Sequence, residues 1–237
     1  MLTTLLLFGL LSNTTDEVRN IQGQASSLEG KAIYTLDQEE RWRDGQWTYR
    51  KVTGRLKSGQ PFFSQVITPG KLPAVPNIQM TYQGSTKQFS VQWEGTHVLM
   101  SFRDKEGEST TNRLESPPSN LVGPGGILAA IRKDWSSLLK GETLEWKMIV
   151  PPKADAFSVR LVPQKPERVN GREALPVVLE ADNWLVRLVA PSTKFWIDVE
   201  LKSTLRYQGI GASDDSNGKP QEAIITFKAP MLPVVEP

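Results

Sequence analysis

The alternation of apolar and polar positions predicts strands along most of the chain. Residues 33–42 and 46–56 flank Asp44-Gly45, a dipeptide suited to the positive backbone angles of a two-residue hairpin turn. Counting outward from that turn sets Arg43 against Gln46, Trp42 against Trp47 and Glu39 against Arg50, so an aromatic pair and an ion pair fall in register. A third strand, 61–68, ends at Pro69-Gly70, and the proline-rich stretch 72–76 reads as a connecting loop. Residues 87–93 and 96–102 form a second hairpin around Glu94-Gly95. Phe89, Val91 and Trp93 then share a face with Thr96, Val98 and Met100. Gln88, Ser90 and Gln92 share the other with His97, Leu99 and Ser101, a pattern that fits a sheet half open to water. Further strands are predicted at 143–150, 156–162, 175–181, 193–201, 204–208 and 223–227.

One segment changes period. After Pro124-Gly125-Gly126, residues Ile127, Ile131, Trp135 and Leu138 recur at helical spacing, with Leu128 and Leu139 widening the stripe and Gly141 placed to end it. A lone amphipathic helix among strands must bury its stripe on a sheet. The elements therefore predict a mainly β domain, a large curved antiparallel sheet of about ten or more strands, because twisted sheets of that size curl. The helix packs on its concave side.

Composition narrows the chemistry. At 237 residues, with 38 % hydrophobic and 23 % charged residues and a net charge of +2, the chain has an ordinary globular balance and no nucleic-acid-binding character. It contains no cysteine, which removes disulfides, thiolate metal sites and cysteine nucleophiles. The apolar run Met1–Leu11 is too short to span a bilayer but has the length of a signal-peptide core, although no basic residue precedes it. The predicted organisation is a leader over 1–25, a single β-rich domain over 26–229 and a loose proline-containing tail over 230–237.

Each candidate for chemistry has a structural alternative. His97 is the only histidine and falls across from Gln92 on the mixed face, which favours a solvated side chain over a catalytic one. No metal and no cofactor is expected. Asp214-Asp215-Ser216-Asn217-Gly218 offers oxygen ligands, but its adjacent acids depart from the calcium-loop spacing and Asn-Gly reads as a turn. Asp182, Asp198 and Glu200 are the acid/base candidates. With a turn at Lys202-Ser203, Asp198 lies opposite Tyr207 and Glu200 opposite Leu205. A carboxylate beside aromatics could act as a general acid, or pair with Tyr207, Arg187 or Arg206. Arg41, Arg43, Arg50, Lys51, Arg55 and Lys57 mingle with Trp42, Trp47 and Tyr49, a mixture suited to anionic surfaces or to guarding exposed strands. Trp135, Trp146, Trp184 and Trp196 either line a cavity for an apolar ligand or fill the core beneath the helix. No nucleophile elbow, phosphate loop or dinucleotide fingerprint is present.

The last quarter carries a resemblance. Asp182, Asn183, Trp184, Leu185 and Arg187, the hairpin through Tyr207-Gln208-Gly209, and Asp215 with Gly218 before the final strand resemble the C-terminal block of a family of exported bacterial β-rich proteins without assigned activity. The resemblance implies a half-barrel or nearly closed barrel, similar in plan to periplasmic lipoprotein carriers, and an exported, periplasmic location. Fold analogy alone licenses no function. The first expectation is a non-enzymatic protein whose curved sheet binds an apolar or amphipathic ligand such as a lipid, in envelope lipid or lipoprotein handling, with peripheral membrane contact. Its ligand-binding candidates are Trp135, Trp146, Trp184, Arg187, Trp196, Asp198 and Tyr207. The alternatives are a cofactor-independent enzyme using carboxylates near Tyr207, and a purely structural or interaction module.

Overall fold

In the computed structural model, the structure describes residues 15–187, 192–214 and 219–228. The strands are β1 (Asp16–Ser26), β2 (Ala32–Arg43), β3 (Gln46–Leu56), β4 (Pro61–Leu72), β5 (Val75–Tyr82), β6 (Gln88–Glu94), β7 (His97–Arg103), β8 (Ser109–Leu114), β9 (Leu121–Val122), β10 (Leu144–Val150), β11 (Asp155–Pro163), β12 (Glu167–Val169), β13 (Arg172–Ala181), β14 (Thr193–Asp198), β15 (Thr204–Asp214) and β16 (Pro220–Phe227). The helices are α1 (Ile127–Lys133), α2 (Trp135–Leu139) and α3 (Trp184–Arg187). One sheet orders the strands β8-β7-β6-β5-β4-β3-β2-β1-β16-β15-β14-β13-β11-β10-β9, with β12 attached to β13. The pairs are antiparallel except β9 on β10, which is parallel, so the expected antiparallel sheet is mixed at one edge.

The sheet curls until its two ends meet through side chains. Leu121, Ile149 and Ala154 from one end pack with Val75, Val91, Val98 and Met100 from the other in a single buried cluster. No ladder joins β8 to β9, so the sheet is strongly curved yet not closed into a barrel. The expected helix forms on the concave side, divided at Asp134 into α1 and α2. Ile131, Trp135 and Leu138 are buried against Trp146, Leu161, Leu175, Val177 and Phe195, whereas Leu139 is exposed. Gly126 locates the start of α1, since a Cβ there would lie 2.1 Å from the backbone oxygen of Ala74.

Asp44 and Gly45 adopt φ of 49° and 73°, the turn that Asp-Gly favours, and Trp42 pairs with Trp47. A bulge then shifts the register, so Arg50 faces Glu40 and not Glu39. The second hairpin turns at Gly95-Thr96, one residue later than expected, and His97 pairs with Glu94 and not Gln92. A two-residue slip leaves each side chain on its predicted face.

Three stretches depart further from expectation. Residues 16–25, assigned to a leader, form β1 between β2 and β16, so the sheet uses them. In stretch 72–76 the connection shrinks to a two-residue turn, Pro73-Ala74: Leu72 pairs with Val75 and β5 follows directly. Asn77 makes this possible by donating from Nδ2 to Pro69 O at 2.9 Å and accepting the Trp93 N–H at 2.8 Å, which fills gaps in both flanking ladders. The polar strand β8 carries no apolar alternation and was invisible to periodicity. Residues 1–14 of the leader, Asp215–Gly218 of the acidic loop and the tail 230–237 lie outside the described residues.

Candidate functional site

The two halves of the concave face are packed differently. Under α1 and α2 the inward residues of β10, β11 and β13 are sealed: Trp146, Leu161, Leu175 and Val177 are all buried. Alternation along β1 to β4 sends Arg19 and Ile21, Gln38 and Glu40, Arg50 and Val52, and Gln65 and Ile67 to the same inner face. Ile67 and Glu40 are buried, but Arg19, Ile21, Gln38, Arg50, Val52 and Gln65 keep part of their surface open to water. This inner wall is amphipathic. Ile21 and Val52 each stand one inward step, about 7 Å along the strand, from Arg19 and Arg50.

At the charged end of the wall, Glu40 is 6 % exposed and is the hub. It accepts from Arg50 Nε at 2.8 Å, Gln38 Nε2 at 2.9 Å and Trp42 Nε1 at 3.3 Å. Arg19 donates to both oxygens of Glu17, at 2.6 and 2.9 Å, and its guanidinium lies 4.5 Å from the Trp42 ring centroid. That hydrogen bond holds the Arg19 pKa above its ordinary value. From the opposite side α1 contributes Arg132, open to water and within electrostatic range of Glu40, Arg50 and Arg19. Partial desolvation by its neighbours, with repulsion from the two arginines, lowers the Arg132 pKa against the pull of Glu40. Arg50 also lies 5.3 Å from the ring centroid of Trp47, whose buried Nε1–H has no hydrogen-bond partner among the described residues.

The residues singled out by sequence do not form one site. Trp135, on α2, and Trp146, on β10 beneath it, lie in one buried cluster, and Tyr207 borders that cluster with its ring 5.3 Å from that of Phe195. The Tyr207 hydroxyl donates to Ile210 O at 2.8 Å, and burial pushes its pKa up to about 12. Trp196 belongs to a separate cluster with Val169, Ala174 and Leu205. Trp184, in α3, is 62 % exposed, and the Arg187 side chain lies outside the described residues.

The acid/base register is corrected by an irregularity in the β14–β15 pairing. Phe195, not Asp198, faces Tyr207, and Asp198 sits at the turn, where its N–H donates to Ser203 O at 2.8 Å. Its carboxylate is 1 % exposed, receives Arg172 Nε, and accepts the N–H groups of Glu200 at 2.9 Å and Leu201 at 2.8 Å. Burial opposes ionisation of Asp198, but Arg172 and these amides outweigh it and its pKa falls below the ordinary carboxylate value. Glu200 points to solvent near Arg172, and Asp182 is exposed. His97 Nδ1 lies 3.0 Å from Glu115 at the β7–β8 edge. Arg41, Arg43 and Arg55 pair with Glu39, Asp16 and Asp37. Two depressions of about 300 and 330 Å³ are lined mainly by polar side chains, such as Ser90, Ser101 and Thr111 in one and Asn20, Gln22 and Asp37 in the other.

No protein-family model and no curated protein sequence matches the chain. Among solved structures it is similar to a β-barrel-like protein of domain of unknown function DUF1849 from Brucella abortus, at 8 % identity and a TM-score of 0.49, over 89 % of this chain and 95 % of that one. It is also similar to a DUF1329 family protein from Desulfovibrio piger, at 7 % identity and a TM-score of 0.28, over 95 % of this chain and 89 % of that one. A third is a putative outer membrane lipoprotein-sorting protein domain from Vibrio parahaemolyticus, at 6 % identity and a TM-score of 0.23, over 94 % of this chain and 87 % of that one.

Proposed function

We propose that the protein is a non-enzymatic binding module that holds an amphipathic ligand against the inner wall of β1 to β4, in envelope lipid or lipoprotein handling. The observation that carries this reading is the unequal packing of the concave face. One half is sealed by the helices, while the other leaves Ile21, Val52, Gln38 and Gln65 half-buried beside a charged end. A purely structural sheet gains by covering apolar side chains, since each buried methylene contributes about 0.8 kcal/mol. A curved wall left partly open is suited to a guest. In this reading Trp135, on α2, and Trp146 beneath it fill the sealed half, and Tyr207 borders the open half. The leader-like run at the N-terminus supports an exported, periplasmic location.

The enzymatic alternative is the weaker one. Asp198 is committed to Arg172 and two amides, and Tyr207 to a backbone carbonyl, which leaves neither poised for proton transfer. Native mass spectrometry of protein purified without detergent, followed by organic extraction, tests the proposal. A bound lipid or other apolar mass supports it. A clean protein mass, unchanged after incubation with an envelope lipid extract, would sink it in favour of the interaction module.

A further inference from the structure

The charges that face one another inside the concavity do not balance. Arg19 is satisfied by Glu17 through two hydrogen bonds. Glu40 is already occupied by Arg50, Gln38 and Trp42. Among the described residues Arg132 has no carboxylate within ion-pair distance; its hydrogen bond is from Nε to the backbone oxygen of Lys202, at 2.8 Å. Among the described residues three guanidinium groups thus share two carboxylates, and Arg50 Nη1 reaches the loop before α1 at 3.5 Å from Gly125 O, so one positive charge is left over at this end of the wall. A lysine in that position could relieve the repulsion by losing its proton, but a guanidinium stays charged in proteins.

We infer that Arg132, with Arg50 and Arg19 behind it, forms the seat of an anionic head group, a carboxylate or phosphate, carried by the amphipathic ligand. The assignment rests on the concave wall being the ligand site. Beyond its Nε, the planar guanidinium of Arg132 offers further N–H donors to an incoming anion, in the geometry that pairs with carboxylate and phosphate oxygens. The Trp47 ring lies beside Arg50, 5.3 Å from its guanidinium, and flanks the charged end. The apolar part of the guest has a continuation at hand: Ile21 and Val52 are the next inward residues after Arg19 and Arg50, and Gln65 stands opposite Val52. The wall therefore reads as head-group end and chain end, in the order an amphiphile requires.

Calorimetric titration separates the possibilities, with sodium oleate below its micellar concentration, oleyl alcohol and inorganic phosphate as probes. Each is titrated into the wild-type chain and into Arg132→Met and Lys133→Met. The two variants remove the same charge from neighbouring exposed positions on α1, so neither burdens the core. The inference predicts that oleate binds more tightly than oleyl alcohol, that Arg132→Met weakens oleate about tenfold or more, and that Lys133→Met has little effect. Phosphate binding abolished by Arg132→Met, with neither oleate nor alcohol binding, supports the anion seat, makes a free anion its source and removes the amphiphile reading. Oleate and oleyl alcohol binding equally, both indifferent to Arg132→Met, overturns the anion seat while the concave ligand site stands. Equal losses in the two variants mean a general charge effect and also overturn it. If no probe binds, both readings fall.

Discussion

Arg50 and Glu40 face each other across β2 and β3, with Arg50 Nε donating to Glu40 Oε1 at 2.8 Å on the inner wall of a curved sheet. The bulge near the Asp44-Gly45 turn brings them together. Without the extra residue, Arg50 would oppose Glu39, whose side chain belongs to the outer face beside Arg41.

The pair is largely buried, so removing one partner should be costly. Arg50→Met removes the guanidinium that hydrogen-bonds Glu40 and is expected to destabilise the fold by about 3–5 kcal/mol. Arg132→Met, at an exposed position, should change stability by no more than about 0.5 kcal/mol. Urea unfolding of the two variants checks the contrast, and equal losses would place Arg132 in the structural core of the cluster.

Asp198 is a structural carboxylate. Asp198→Asn weakens its bonds to Arg172 and to two backbone amides and should cost about 2–3 kcal/mol. Its folded pKa lies below the unfolded value, so its contribution is present above the unfolded pKa near 4 and is lost as pH falls through the lower folded pKa. Acid unfolding of Asp198→Asn should therefore be shallower than that of the wild type, read as the slope of stability against pH below about 4.

Tyr82 and Tyr207 give the opposite sign. Burial pushes both pKa values up to about 12, above the unfolded value near 10. Their contribution is complete below about pH 10 and is lost as pH rises towards about 12. Ultraviolet titration should show the two phenols ionising only above the range of free tyrosine, together with alkaline unfolding. Tyr207→Phe should flatten that alkaline loss.

Gly126 fixes where the helix begins. A methyl group there meets the Ala74 carbonyl at 2.1 Å, against backbone that cannot swing away. Gly126→Ala should cost about 1–3 kcal/mol and move α1, and with it Arg132. Thermal melting reads the first effect, and a fall in oleate affinity reads the second.

Much of the fold was legible because its signals are local. Asp44-Gly45 fixed one turn, alternation placed both faces of the second hairpin, and the stripe Ile127, Ile131, Trp135, Leu138 found the helix. The losses came where tertiary contacts override local cues. Asn77 patches the ladders around Pro69, so strands run up to a two-residue turn at Pro73-Ala74 where the prolines suggest a longer loop. β1 lies within a stretch set aside for its leader-like neighbour, which hid Arg19. The charged end of the wall escaped notice because Arg50 looked like one of several surface arginines, and a single bulge decides which glutamate it meets. One signal was available: Gln38, Glu40 and Trp42 continue the inward series of Tyr34 and Leu36, placing polar groups where the core should run.

Hydrogen exchange with and without bound oleate tests the central claim most directly. The account predicts slowed exchange in β1, β2, β3 and α1, the elements that carry Ile21, Glu40, Val52 and Arg132. Protection confined to α3 and the neighbouring rim around Trp184, with β1 to β3 unchanged, would contradict it.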